Sequence, residues 1–397
     1  MGKKAKNQIN PNKNVQHVHG VQNHSIPGPK LTAEYKAKYP FVSICMPTFN
    51  RRPFFPFTIK CFDHQTYPKD RMEWIIIDDG TDKVEDLVAH IPQVKYFKYD
   101  EKMTLGKKRN LSHEKSIGEF IVYMDDDDYY PPERVSHAVE TLRKNPHALC
   151  AGSSEMYIYF KHISKMYKFG PYGPTHATAA TFAFRRELLN RTSFQETACV
   201  AEEKHFLKDY TIPFVQLDSM KTILVFSHNH NSFDKKELLK QMPNPMVTET
   251  IKMPADFVKE LDVLKFFMED IDKELDIYKP GRPENKPDVI KQIDELKIQR
   301  EKMELQQQQQ HLIQKLNEFN HTIQILTSEN TQLKEKVVYL EDKMKQLITE
   351  KIQDRIKLSQ TTPNVVVKAP LETPVIVEIP VETPIIKTDD ISITENV

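Results

Sequence analysis

The sequence predicts an α/β fold: a mostly parallel sheet with flanking helices, followed by a C-terminal coiled coil. Three observations lead there. Short apolar runs, Phe41–Pro47, Trp74–Asp78 and Phe120–Met124, recur along the first third of the chain with helical segments between them. The connections between runs, roughly 30 residues each, suit βαβ units and a parallel sheet. Much later, apolar residues from Leu312 to Leu347 alternate at four- and three-residue spacing, the seam of a coiled coil.

Taken in order, residues 1–38 are polar, rich in Asn, Lys, Gln and His, and lack periodicity, which predicts a disordered tail. His17, His19 and His24 fall in it. The globular domain is expected over residues 39–245. A helix should start near Leu105–Gly106 and carry Lys107, Lys108, Arg109 and Asn110, and another should open at Pro131-Pro132-Glu133, because proline suits a first helical turn. Residues 246–289 read as an amphipathic helical extension packing on the domain through Phe257, Leu261, Leu264, Phe267 and Ile271. Residues 290–358 form the coiled coil, with Leu316, Ile323, Asn330, Val337 and Met344 at a positions and Phe319, Leu326, Leu333, Leu340 and Leu347 at d. A single polar a residue, Asn330, is a device for specifying a parallel dimer, so a homodimer is expected; the alternative is a lone helix folded back on the domain. In the last stretch, 359–397, Pro370-Leu-Glu-Thr-Pro374-Val-Ile is echoed by Pro380-Val-Glu-Thr-Pro384-Ile-Ile, which predicts an extended tail or docking peptide.

Composition narrows the function. Lys+Arg and Asp+Glu are each 56, so no global basic field argues for nucleic acid. Cys45, Cys61, Cys150 and Cys199 are too widely spaced for a metal or redox motif and read as buried free thiols of a reducing compartment. No apolar stretch reaches the roughly 20 residues that span a bilayer, and the first residues lack a signal peptide's apolar core. A cytoplasmic protein without a membrane span is expected.

The chemistry concentrates at Asp125-Asp126-Asp127-Asp128, directly after an apolar strand. Neighbouring carboxylates repel, and a hard cation with oxygen ligands, Mg2+ or Mn2+ carrying substrate phosphates, relieves them. An isolated acidic run reads more plainly as a solvated turn. The strand end favours a ligand, because open α/β sheets bind at the carboxyl ends of their strands.

Four motifs occur in order: Val42-Ser-Ile-Cys-Met-Pro47-Thr48-Phe49-Asn50-Arg51, Ile75-Ile-Ile-Asp78-Asp79-Gly80, Gly106-Lys-Lys-Arg109-Asn110 and Gly118-Glu-Phe-Ile-Val-Tyr-Met-Asp125-Asp126-Asp127-Asp128. Together they resemble glycosyltransferase family 2, over about residues 40 to 235, on a nucleotide-sugar-binding GT-A fold. The resemblance implies a sugar moved from a nucleotide donor, UDP-linked before others, to a hydroxyl acceptor with inversion. It implies a donor site from Pro47, Thr48, Asn50, Arg51, Asp78, Asp79, Lys107, Arg109, Asp125 and Asp126, with Asp78 preferred over Asp79 for the nucleoside. Asp127 aligns with the metal-binding residue of the family's DxD region, for Mn2+ or Mg2+. Glu202-Glu203 stands where the family carries a Glu-Asp pair, with Glu203 in the place of the catalytic base. His228 and His230, after the apolar strand Thr222–Phe226, are candidates near the metal, and strand alternation would turn both to one face. The Asn, Lys and Ile bias with low-complexity tails would suit a large DNA virus or an AT-rich protist. Two rivals remain: a catalytically inactive scaffold whose coiled coil is the function, and a nucleotidyltransferase, which Thr48-Phe-Asn-Arg-Arg-Pro53 disfavours because it is not a Gly-rich phosphate loop.

Overall fold

The computed structural model describes residues 32–240 and 243–361. The three early histidines and the Pro-rich repeats lie outside the described residues. The chain divides into two compact units, residues 1–304 and 305–397.

In the first unit, α1 (Ala33–Lys38) precedes β1 (Val42–Thr48), α2 (Phe55–Asp63), β2 (Met72–Asp78), α3 (Glu85–Val88), β3 (Val94–Lys98), α4 (Leu105–Lys115), β4 (Phe120–Tyr123) and α5 (Arg134–Lys144). Short strands follow: β5 (Cys150–Gly152), β6 (Met156–Phe160), β7 (Lys165–Phe169), β8 (Ala183–Arg185), β9 (Phe214–Gln216), β10 (Leu224–Ser227) and β11 (Val247–Thr250). The main sheet has the order β3-β2-β1-β4-β8-β5-β9. Its first four strands are mutually parallel, and β8 runs antiparallel to β4 and β5. A second sheet, β10-β6-β7-β11, carries the strand that leads to His228.

Apolar runs rather than alternating ones mark β1, β2 and β4 because both faces of the sheet are covered. Val42, Ile44 and Met46 of β1 join Trp74, Ile76 and Val122 in one layer, while Cys45 joins Ile75, Ile77, Ile121 and Tyr123 in the other. The buried Glu73 in β2 is held by the Ser43 hydroxyl (2.5 Å) and the Ile117 amide (2.6 Å), so the strand tolerates it. In register, Thr48 lies beside Asp78, and β1 outruns β4 past Tyr123. The loops after β1, β2 and β4 therefore gather at one edge.

Several expectations change. Helix α1 lies within the stretch read as irregular: Thr32 caps it, its hydroxyl accepting the Tyr35 amide (3.1 Å). Strand β3 was hidden because it is an edge strand with only partly buried side chains. Helix α5 begins at Arg134, after Pro131 and Pro132. The extension is not one amphipathic helix but β11 followed by short turns, Pro254–Phe257, Leu261–Lys265 and Ile271–Ile277, with a π-helical turn at Phe266–Asp270. Phe257, Phe267 and Ile271 still bury into the first layer, but broken helical phase leaves Leu261 81% exposed. Helix Pro287–Thr361 continues into the second unit, where the expected seam residues from Leu316 to Leu347 are 52% to 65% exposed in the single chain. No helix of the described residues is long and apolar enough to cross a membrane.

The covered sheet makes a stability prediction. Leu142 of α5 is fully buried in the first layer. Leu142→Ala should cost about 2–5 kcal/mol in urea unfolding, with an unchanged m-value; a loss well under that range would mean this layer is not close-packed.

Candidate active site

The acidic loop is pinned before its charges are considered. Arg134, fully buried at the start of α5, donates from one guanidinium nitrogen to the carbonyls of Tyr123 (3.1 Å), Thr181 (2.9 Å) and Phe182 (2.8 Å). The Tyr130 hydroxyl accepts the Asp125 amide (2.7 Å), and Thr58 donates to the Asp126 carbonyl (3.0 Å). The carboxylates then diverge. Asp125 lies 3.5 Å from Arg109; Asp126 and Asp127 share Arg51, at 3.6 and 3.0 Å. Burial pushes Asp126 up to about 7 despite Arg51. Burial also acts against Asp127, but Arg51 and a hydrogen bond from His228 hold it well below the usual carboxylate range. Asp128 is pushed well above that range by burial and by Asp127.

Oxygens Oδ1 of Asp125 and Asp128 are buried without a hydrogen-bond partner. Among the described residues no set of three or more His, Cys, Asp or Glu is arranged to hold a metal. The protein thus offers one or two carboxylate oxygens to a cation, and diphosphate and water would supply the rest, the mode that suits Mg2+. The under-neutralised acidic row fits such an ion.

The loops after β1, β3 and β4, with α4, build the neighbouring cleft of about 190 Å³, lined by Pro47, Phe49, Arg51, Lys102, Lys108, Asp125, Asp126, Asp127 and Lys286 among others. Asn50 shapes it from behind, with φ of 53°, accepting the Asp82 amide (2.9 Å) and donating to the Pro280 carbonyl (3.1 Å). Thr48 is buried, and its carbonyl accepts from Lys108 (3.1 Å). Asp78, preferred above for the nucleoside, is instead committed to the turn: it accepts from the Gly80 amide (2.8 Å), the Val84 amide (3.2 Å) and the Tyr96 hydroxyl (2.5 Å). Asp79 is equally occupied, by the Met103 amide (2.5 Å) and Lys108 (2.8 Å). Neither lines the cleft. On α4, Lys107 points to solvent while Lys108, its neighbour, supplies a cation to the cleft.

Arg109 also differs from expectation. It is 2% exposed, sits over the Tyr123 ring at 4.4 Å and bridges Asp125 to Glu202, the latter at 2.9 Å. It therefore links carboxylates rather than facing an open nucleotide cleft. Glu202, 5% exposed, is locked by this pair. Glu203 opens the short helix Glu203–Phe206 and has no ion pair among the described residues; burial and the Glu202 charge push it up to about 7 against the pull of its own backbone amide. A second cleft, of about 470 Å³, lies alongside, lined by Ala198, Val200, Glu202, His205, Glu295 and Gln299 among others. The two clefts adjoin at the ridge Cys199–Val200, whose amides donate to Gln292 (2.6 and 3.0 Å).

The histidines separate. His228 Nε2 lies 3.4 Å from Asp127. Its Nδ1 accepts the His230 amide (3.2 Å), its Nε2 also lies 2.8 Å from the Asn231 side-chain nitrogen, and burial lowers its pKa to about 3, which favours a neutral ring. His230 is turned away against Tyr278, and only its carbonyl reaches the site, accepting from Arg51 (2.8 Å). Alternation misled because β10 ends at Ser227 and both histidines sit in the turn beyond it. Missed altogether were Arg134, Lys286 and Gln292. Arg134 stood in the motif, but nothing in its spacing told that it would be buried; the other two lie far along the chain, in a segment read as helical packing or coiled coil.

The family described as Glycosyl transferase family 2 matches residues 43–206. Among characterised and uncharacterised relatives, a putative colanic acid biosynthesis glycosyl transferase, WcaA of Escherichia coli, is 33% identical over 102 residues, 24% of this chain and 36% of that protein. The poly(ribitol-phosphate) beta-N-acetylglucosaminyltransferase TarS of Staphylococcus aureus is 28% identical over 109 residues, 24% of this chain and 18% of that protein. The chain spans less than half the length of the curated relatives it matches, from 17% to 44%. Solved structures that resemble it include S. aureus TarS 1–349 (20% identity, 47% of this chain and 60% of that one, TM-score 0.39) and the mannosyltransferase PcManGT of Pyrobaculum calidifontis (15% identity, 58% and 71%, TM-score 0.39). The first four strands of the main sheet and the acidic loop at its edge fall largely within residues 43–206, the stretch that matches glycosyl transferase family 2.

Proposed function

We propose that the chain is a metal-dependent, inverting glycosyltransferase that moves a sugar from a nucleotide donor, UDP-linked before others, to a hydroxyl acceptor. The observation that carries this reading is the buried line Asp125, Arg109, Glu202, which joins the acidic cleft to the second cleft, with Glu203 next to Glu202 in the chain and outside any ion pair among the described residues. In this reading the first cleft takes the donor, with Pro47, Arg51 and Lys108 on its wall and Thr48, Asn50, Asp78 and Asp79 shaping it from behind. The second cleft takes the acceptor. Asp127, with Asp125 nearby, would hold Mg2+ or Mn2+, which when bound supplies Lewis-acid stabilisation of the leaving diphosphate.

Glu203 accepts the proton of the acceptor hydroxyl. The oxygen attacks the anomeric carbon as that carbon's bond to the diphosphate oxygen breaks, and a single displacement inverts the centre. A base poised near neutrality serves this step. Glu202 positions Glu203 and raises its proton affinity through Arg109-held geometry and like charge. All four cysteines are free and buried, which supports a cytoplasmic, reducing compartment.

The self-association of the coiled coil belongs to the same reading. A helix whose seam is apolar but for Asn330, with its apolar residues more than half exposed, calls for a partner, and Asn330 at an a position favours a second, parallel copy.

Purified protein incubated with a panel of UDP- and GDP-sugars and Mg2+ or Mn2+ should release nucleoside diphosphate. Glu203→Gln should lower turnover about 10²- to 10⁴-fold without weakening nucleotide binding. Because Glu203 must be deprotonated, the rate should fall as pH drops through about 7. Absence of both release and nucleotide binding would favour the inactive scaffold. Separately, sedimentation should find a dimer, and Leu326→Asp with Leu333→Asp a monomer that keeps the folded first unit; a wild-type monomer at micromolar concentration would rule the coiled-coil dimer out.

A further inference from the structure

Lys286 is the least expected cation of the donor cleft. It lies in the short connection between the 3-10 turn Pro283–Asn285 and helix Pro287–Thr361, some way beyond the family domain. Its side chain is nevertheless 5% exposed and lines the cleft with Arg51, Lys102 and Lys108. The ammonium donates to the Ser232 hydroxyl (3.0 Å) and, among the described residues, has no carboxylate within ion-pair distance. Asp126 and Asp127 act on it only from farther away, and Arg51 and Lys108 repel it. A buried ammonium with one neutral partner and two cations nearby is unfavourable, because nothing replaces the hydration it lost. An anion in the cleft would supply the missing partner.

The connection is also held in place, so the cost is imposed by design of the chain rather than by a loose tail. Asn50 donates to the Pro280 carbonyl (3.1 Å), and the Tyr278 hydroxyl donates to Asp82 (2.9 Å). Gly281 passes so close that a Cβ there would lie 2.5 Å from the Asn50 carbonyl oxygen. On the other side, Lys102 pairs with Asp288 and Gln292 clasps Cys199 and Val200. These contacts set Lys286 against the cleft from a direction that the loops after β1 and β4 do not reach.

We infer that Lys286 is a diphosphate-binding residue, contributed to the donor site by a segment outside the family domain. The inference rests on the donor-site reading proposed above. A flexible ammonium suits the phosphate oxygens, whereas the nucleoside end offers it no formal charge.

Isothermal titration of the full chain with UDP and GDP, and with uridine and guanosine, separates the phosphate contact from the nucleoside contact. Lys286→Met should weaken the nucleoside diphosphate that binds the wild type by at least about tenfold, leave its nucleoside unchanged, and lose more in EDTA than in Mg2+. Lys286→Arg should retain most of the affinity, which shows that a folded cleft with a cation suffices. Unchanged diphosphate binding by Lys286→Met, or an equal loss for nucleoside and diphosphate, overturns the role of Lys286 while leaving the donor site standing. A wild-type chain that binds neither diphosphate overturns the donor site itself, and this inference with it.

Discussion

The repulsion among four consecutive aspartates at the end of a buried strand is the constraint around which the site is organised. Bare carboxylates this close cannot all remain ionised in a poorly hydrated place. The fold answers by turning them apart and giving them separate cations: Arg109 for Asp125, and Arg51 for Asp126 and Asp127. Each cation is fixed in turn by something else. Glu202 and the Tyr123 ring hold Arg109, and the His230 carbonyl holds Arg51. Compensation is still incomplete, since Asp126 and Asp128 are driven toward the protonated form.

Buried ion pairs of this kind are poor stabilisers, because desolvation consumes most of their attraction. Their effect here is geometric. Arg109 is too short and too buried to serve two carboxylates unless α4, β4 and the loop before Glu203–Phe206 keep fixed distances. Gly106 lets α4 approach that loop, since a Cβ there would meet the Gln195 carbonyl oxygen at 2.1 Å. The same helix also delivers Lys108 to the cleft beside the acidic row, so one element sets the spacing of both clefts.

Much of the fold was legible because both faces of the central sheet are covered: β1, β2 and β4 had to be continuous apolar runs, and the acidic loop had to follow the last of them. The edge strand β3 and the broken helical turns after Thr250 were not legible, because partly exposed side chains and interrupted phase leave no clean period. At the site, residue type was readable but direction was not. Asp78 and Asp79 turned inward to hold backbone amides, and Lys108 rather than Lys107 faced the cleft, because one step along a helix is a rotation of about 100° that spacing alone cannot phase. His230 was misplaced for a related reason, since strand alternation stops where the strand stops. Lys286 and Gln292 required the path of the chain after Thr250, which no local pattern contains.

On the proposed reading, the existing ion pairs also determine how a donor would enter. Arg51 is the partner that holds Asp127 ionised, and it lines the cleft where a diphosphate would lie. A diphosphate drawing on Arg51 weakens its hold on Asp127 and leaves that carboxylate in need of another positive charge. A cation at Asp127 has the converse effect, freeing Arg51 for phosphate. Each ligand thus lowers the electrostatic cost of the other, and linkage requires the coupling to be reciprocal. Lys286, whose burial and neighbouring Arg51 lower its proton affinity, belongs in this balance as a cation that an anion in the cleft would stabilise, which makes the acidic row and the basic wall parts of one site rather than two.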